Sequence, residues 1–402
     1  MTTSMDGHRP FPEDLLVEIL LRLPVESLLR FKCVCKHLYA LITSPSFIEK
    51  HFRYKNNCAR LLICNLTISN LSKCVAFCLL PGKIVPGVTP EQKTLYQFQR
   101  TDFMSITGPV DGLFLVQKPF YDDNVCLALW NPSTREFWPL PPVSFELQSE
   151  DYDEQFALGY DPSTRDYKVV CIRRFWDNIG QGAFTRVFVS VYSLRNNSWK
   201  NSRSEIPSCC HLNEPIGATY LNGVYYWLSG GLDKICRIRS FDMGSERFGE
   251  MHVLDIPKAR WGALMLRGDS LALLVCDQPG KAMTSIYEVW VMKKEGSWTK
   301  VLTVQPLIDA HWPHGIWEDD KMIFKITETS QLVLYDPTTR EVTELGFQLD
   351  RTWGQCWVFN YKESLVPIKR GNDNQGQDNA VKQIDHFFNI DYEEDPGLLV
   401  VT

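Results

Sequence analysis

The chain has 402 residues, 44% apolar and 22% charged, with 24 glycines and 23 prolines. These proportions exclude collagen, coiled coil and wholesale disorder, and the length fits one large domain plus an accessory piece. Apolar runs such as Leu271 to Cys276 are far too short to span a bilayer, and the net charge of −6 gives no general attraction for nucleic acid. We therefore expect no membrane and no nucleic-acid partner.

Residues 1–10 are expected to be a flexible N-terminus without the pattern of a secretory signal. From Pro12 to Ile42 the apolar residues follow helical spacing, with Leu15, Leu16, Ile19, Leu20 and Leu23 covering a broad face. Pro12 suits a first helical turn, Glu13 and Asp14 complement its positive end, and Pro24 stops the helix. The spacing predicts further helices over 25–29 and 31–42. A turn at Thr43-Ser44-Pro45 should follow, then one more helical turn capped by Ser46. So short a helical module cannot bury all this leucine, so part of the face must pack against the large domain or against another protein.

The stretch FPEDLLVEILLRLPVESLLRFKCVCKHLYALITSPSF (11–47) resembles an F-box, the module by which substrate receptors dock onto the Skp adaptor of a cullin ubiquitin ligase. It departs from the usual pattern at Phe11 and Leu38, both bulky and apolar. The resemblance implies that Pro12, Leu15, Ile19, Leu20, Leu23 and Pro24 face the adaptor, with the later helix contributing. It sets a three-helix F-box over 11–55.

Beyond residue 56, short runs of β-branched and aromatic residues alternate with turns, as in an all-β domain. The turns Asn131-Pro-Ser-Thr-Arg135, Asp161-Pro-Ser-Thr-Arg165 and Asp336-Pro-Thr-Thr-Arg340 repeat one another. Each pairs an Asx residue, which bonds its own backbone two residues on, with a proline that pre-sets φ. A two-part unit recurs five times, with a polar pair before an apolar strand (as in 110–116 and 221–228) and then a strand, polar turn and strand (as in 127–140 and 332–345). Its second-part turns lie 43 to 63 residues apart. That period suits a β-propeller blade of about four strands. The runs 60–66, 73–79 and 94–99, completed by 355–361 across the ring closure, would make a sixth blade. A β-sandwich is the alternative.

The motifs NPSTREFWPLP, GYDPSTRDYKVV, VYSLRNNSWK, LNGVYYWL and ESLVPI, spread over 100–368, are similar to the plant F-box-associated domain, which is related to kelch-like propellers. Residues 56–370 are thus expected to recognise a substrate. The tail 371–402 holds one lysine against seven acids and is expected to be disordered.

Nothing reads as a catalytic centre, cofactor site or metal site. His311 and His314 flank Trp312 and Pro313, which breaks helical ligand geometry. The thirteen cysteines are expected as reduced thiols of a cytoplasmic or nuclear protein; Cys33 and Cys35 should share a helix as packing, and Cys209-Cys210-His211 should be loop filler. Trp130, Trp138, Trp199, Trp227, Trp290 and Trp298 fall on hairpin strands and are expected in blade cores. Aromatic and charged residues in the inter-repeat stretches are the substrate-binding candidates, because interface hot spots favour Trp, Tyr and Arg. They are Glu150 and Asp151, Arg174 and Trp176, Arg260 and Trp261, Trp312 and His314, and Arg351 and Trp353.

The resemblance implies a non-catalytic substrate receptor. It would bind a Skp-type adaptor, and through it a cullin and a RING subunit, and deliver a protein for ubiquitination. Within that group the chain looks most like the S-locus F-box family, whose targets are secreted pistil ribonucleases (S-RNases). A propeller enzyme or glycan binder with an incidental helical cap is the alternative reading.

Overall fold

The computed structural model describes residues 12–54, 59–69, 72–99, 105–119, 125–143, 152–176, 184–202, 217–230, 236–253, 261–276, 285–294, 296–306, 308–310, 313–318, 320–349, 356–368 and 387. Four helices open the chain: α1 (Glu13–Leu21), α2 (Val25–Phe31), α3 (Lys36–Thr43) and α4 (Pro45–Arg53). Two local expectations are corrected. Lys32 to Val34 form a turn, so α3 starts five residues late and Cys35 sits outside it as its N-cap, its sulfur accepting from the Leu38 N–H. Ser44, not Ser46, caps α4 by accepting from the Phe47 N–H at 3.3 Å; Pro45 then occupies the first helical position, where a missing N–H costs nothing.

Among the described residues, twenty-four strands follow in six four-stranded antiparallel sheets. The first blade begins with β1 (Arg60–Ser69), β2 (Ser72–Leu79) and β3 (Lys93–Gln99). The second is β4 (Ser105–Val110), β5 (Leu113–Pro119), β6 (Val125–Asn131) and β7 (Glu136–Pro139). The third is β8 (Tyr152–Asp161), β9 (Asp166–Trp176), β10 (Phe184–Ser193) and β11 (Ser198–Asn201). The fourth is β12 (Ala218–Leu221), β13 (Val224–Gly230), β14 (Cys236–Asp242) and β15 (Arg247–His252). The fifth is β16 (Trp261–Arg267), β17 (Ser270–Cys276), β18 (Tyr287–Lys294) and β19 (Ser297–Val304). The sixth is β20 (Gly315–Trp317), β21 (Lys321–Lys325), β22 (Gln331–Tyr335) and β23 (Val342–Gln348). Finally β24 (Cys356–Tyr361) returns to pair antiparallel with β1, Arg60 opposite Tyr361, and completes the first blade. The fold is therefore a six-bladed propeller, with the closure expected from the sequence and not a sandwich.

Middle strands such as β17 and β22 are buried on both faces and are continuous apolar runs, whereas the outer strand β23 alternates exposed and buried residues. Along β1, Leu62 and Cys64 pack towards Phe114 and Trp130 of the second blade. Their neighbours Leu61 and Ile63 pack towards Ile323 and Leu334 of the sixth. Equivalent cores fill the remaining interfaces, such as Val170 and Val191 against Trp227 and Phe241. All six hairpin tryptophans lie in or against these cores. Each blade's apolar faces are covered only by its neighbours, so the closed ring is the unit of stability.

The recurrent turns behave as their residues dictate. Asn131, Asp161 and Asp336 each accept the backbone N–H two residues on, at 3.0, 2.8 and 2.8 Å. The arginine closing each turn has positive φ, at 60°, 54° and 62°. The expectation of a disordered tail fails at one point: Phe387 is buried against Phe137, with ring centroids 5.1 Å apart. The rest of 371–402 lies outside the described residues.

Candidate functional site

The helical module has two apolar faces with different fates. Leu20, Leu21, Val25, Leu28, Ile42 and Phe47 form its own core, with Leu16, Val17, Leu23 and Leu38 packed alongside. Leu15 and Ile19 point the other way, 53% and 49% exposed. Of the nine exposed large apolar side chains among the described residues, five lie on this module: Leu15, Ile19, Phe31, Val34 and Tyr39. The sequence-derived set is thereby split. Leu15, Ile19, Pro12 and Pro24 are exposed, Leu23 is half-buried, and Leu20, at 2% exposure, is corrected to a core residue. Phe31, Val34 and Tyr39 were missed as individuals; they fall around the α2–α3 junction, where the expected continuous helix gave the wrong phase.

The propeller's two ends follow from strand direction. β24, β4, β8, β12, β16 and β20 ring the axis, and each blade runs outward from its inner strand as an antiparallel meander. Connections therefore alternate between ends. The inner hairpin turns (111–112, 162–165, 222–223, 268–269) and outer ones (132–135, 194–197, 243–246, 336–341) share the end where β1 begins and β24 finishes. The helical module sits there. Lys93 pairs with Glu26 at 3.4 Å, Arg60 with Glu363 at 3.5 Å, and the Lys362 ammonium lies 5.9 Å from the Phe52 ring.

In sequence, nine of the ten substrate-binding candidates adjoin strand ends that lie at the opposite end, hereafter the rim. Glu150 and Asp151 precede β8, Trp176 ends β9, Arg260 precedes β16 that Trp261 opens, Trp312 and His314 precede β20, and Arg351 and Trp353 precede β24. Glu150, Asp151, Arg260, Trp312, Arg351 and Trp353 lie outside the described residues. His314 is half-buried and its backbone N–H donates to Ile323 O at 2.8 Å. Arg174 is corrected: β9 continues through Trp176, so Arg174 belongs to a strand, not a loop, and is fully buried. Ion pairs, each with at least one buried or half-buried partner, underlie the rim. Glu154 pairs with Arg173, Glu250 with Arg237 and Arg239, and Glu288 with Lys300 at 3.2 Å. Glu154 is thus part of the scaffold.

At the module end a second network joins the third and fourth blades. The Lys168 ammonium lies 2.8 Å from Asp161 and 2.9 Å from Glu246 and donates to Met243 O at 2.7 Å. Burial works to raise the Asp161 carboxyl, but hydrogen bonds from Lys168, Ser163 and Thr164 outweigh it and hold the group well below the ordinary value. Nearby, burial pushes the Asp111 carboxyl up, opposed by a 3.0 Å hydrogen bond from the Tyr167 hydroxyl. Neither network exposes an activated nucleophile. Among the described residues no group of His, Cys, Asp and Glu could hold a metal ion, and no helix is long and apolar enough to cross a membrane.

Comparison with known proteins agrees with this two-part architecture. Residues 82–368 match the F-box associated β-propeller domain, and residues 11–50 match the F-box domain. An F-box/kelch-repeat protein of Arabidopsis thaliana is 27% identical over 347 residues, covering 83% of this chain and 90% of that protein. The Arabidopsis F-box protein CPR1 is 29% identical over 371 residues, covering 83% and 84%. Four helices carrying an exposed leucine-isoleucine face, and a six-bladed ring closed by β24, place this chain in the family of F-box proteins with an F-box associated β-propeller domain.

Proposed function

We propose that this chain is the non-catalytic substrate-recognition subunit of a Skp–cullin–F-box ubiquitin ligase, a role F-box proteins usually fill. The observation that carries the reading is the outward apolar face of Leu15 and Ile19 above an already filled helical core. A face of this kind is unfavourable in water and is satisfied by a partner. The Skp-type adaptor covers it, with Phe31, Val34 and Tyr39 extending the contact, and brings the cullin and RING subunit. The rim at the opposite end holds the target. Such a receptor acts by positioning alone: it raises the local concentration of target lysines near a charged ubiquitin carrier.

The test is adaptor binding by the full chain. Leu15→Asp combined with Ile19→Asp should weaken binding at least about 100-fold, since each buried aliphatic side chain contributes about 1.5–3 kcal/mol. The thermal midpoint should hardly move, because both residues are exposed. Unchanged adaptor affinity would overturn the assignment. Leu20→Asp is a poorer probe, because it breaks the module's own core.

The narrower reading, with a basic pistil S-RNase as target, is supported by the acidic residues Glu146, Glu150 and Asp151 and by the acidic tail. Co-purification of ribonucleases from pollen and pistil extract, lost on neutralising Glu150 and Asp151, is its test.

A further inference from the structure

The segment after β24 lies between the helical module and the second blade, and its residues alternate between the two. Towards the helices, Glu363 accepts the Val25 N–H at 3.4 Å and pairs with Arg60 at 3.5 Å. Leu365, 2% exposed, sits in the core formed by Leu20, Leu21, Val25, Leu28, Ile42 and Phe47. Towards the blades, Ile368 joins the core between the second and third, and its N–H is accepted by Glu136 at 2.9 Å. Ser133 Oγ lies 2.5 Å from the Tyr361 hydroxyl and accepts the Ser364 N–H at 3.0 Å.

Asn131 explains a difference within the repeat. Its Oδ1 forms the same turn as Asp161 and Asp336, while its Nδ2 donates to Ser364 O at 3.1 Å and Val366 O at 2.8 Å. A carboxylate cannot donate. The turn tolerates Asp, and the strap requires Asn.

We infer that residues 362–368 form a positioning strap that makes the fold of the helical module conditional on a closed propeller. The four helices have nine, seven, eight and nine residues, lengths that do not persist alone in water. Their core is completed by Leu365, which reaches them only once β24 has zipped onto β1. An open or truncated ring therefore presents no adaptor-competent module, and a closed ring holds the rim at a fixed orientation to it. The link to the adaptor rests on the function proposed above; the coupling of folds does not.

Hydrogen exchange on the full chain alone tests the coupling. Asn131→Asp keeps the turn and touches no helix, and Leu365→Ala empties the module's core. Both should speed amide exchange in α1–α4, Leu365→Ala by at least about 30-fold, with the inner strands of the blades unchanged. Leu365→Met should restore protection. Equal protection of α1–α4 in wild type and both variants would overturn the strap. So would a uniform loss across the blades, which is the mark of ordinary destabilisation. Adaptor affinity is measured in parallel: a wild-type chain that ignores the adaptor defeats the proposed function, while the exchange result still decides the strap.

Discussion

The two ends of the propeller are built by opposite rules. At the module end most connections are tight turns whose side chains bond their own backbone, and turn residues link one blade to the next through Lys168, Asp161 and Glu246. At the rim most connections are longer, such as those between Asn201 and Ala218 or between Gln348 and Cys356. Three connections depart from the rule, one of them the two-residue link from Ser69 to Ser72 at the rim. Residues 80–92 make a long excursion at the module end with Val85 and Val88 exposed, and 326–330 form a short turn at the rim. What repeats in this sequence is scaffold, and what varies between repeats gathers at one surface. If that division holds, substitutions at the two ends should differ in what they damage.

The largest effect is expected at Gly112. Its φ is +82°, and a Cβ there would stand 2.4 Å from the Ser364 Cβ and 3.0 Å from the Lys362 carbonyl oxygen. Gly112→Val combines a disfavoured backbone with overpacking and should cost about 3 kcal/mol or more in urea unfolding. Gly268 occupies a turn of the fifth blade at φ +57° with nothing within 4 Å of its Cβ position. Gly268→Ala should cost only about 1 kcal/mol. Equal costs would mean that the strap does not press on the second blade's turn.

Next in size is Asp161→Asn, which removes a buried carboxylate from Lys168 while leaving Glu246 in place; the expected loss is about 2–3 kcal/mol at neutral pH. The pH dependence has a definite sign. The folded carboxyl lies below the unfolded value of 3.8, so in acid the unfolded chain binds more protons than the folded one. The stabilisation is complete well above 3.8 and drains away as pH falls through that value towards the folded one. The gap between wild type and Asp161→Asn should therefore narrow on going from neutral pH to about pH 3.5. A constant gap would assign the loss to packing and not to charge.

The legible part of this molecule was local. Asn131, Asp161 and Asp336 announced their turns because the chemistry lies within three residues, and the late strand at 356–361 could be assigned because five blades left one strand over. The difficulties came where two local rules compete or the partner is distant. α1 is apolar on both sides, so periodicity could not tell Leu20, which faces its own core, from Ile19, which does not. The pair Arg173-Arg174 read as loop because charged residues rarely fill a strand; Glu154, nineteen residues away, pairs with Arg173 and lets the strand continue. The ESLVPI motif stood out, but its role needed Asn131 and Leu28, neither near it in sequence.

The smallest effect on stability is expected at the rim. Arg351 and Trp353 precede the inner strand that closes the ring, and Trp312 precedes its neighbour β20. If these residues are cargo contacts, Arg351→Ala with Trp353→Ala should change unfolding free energy by no more than about 0.5 kcal/mol. Adaptor binding, at the far end, should stay intact. Target capture should fall at least about 30-fold, as at a hot spot worth about 2 kcal/mol. The decisive quantity is the ratio of the two losses, not either alone. A blade-core tryptophan would cost stability and capture together, because an opened ring loses its rim as well. A rim tryptophan costs capture alone, and a destabilisation matching that of Asp161→Asn would return Trp353 to the scaffold.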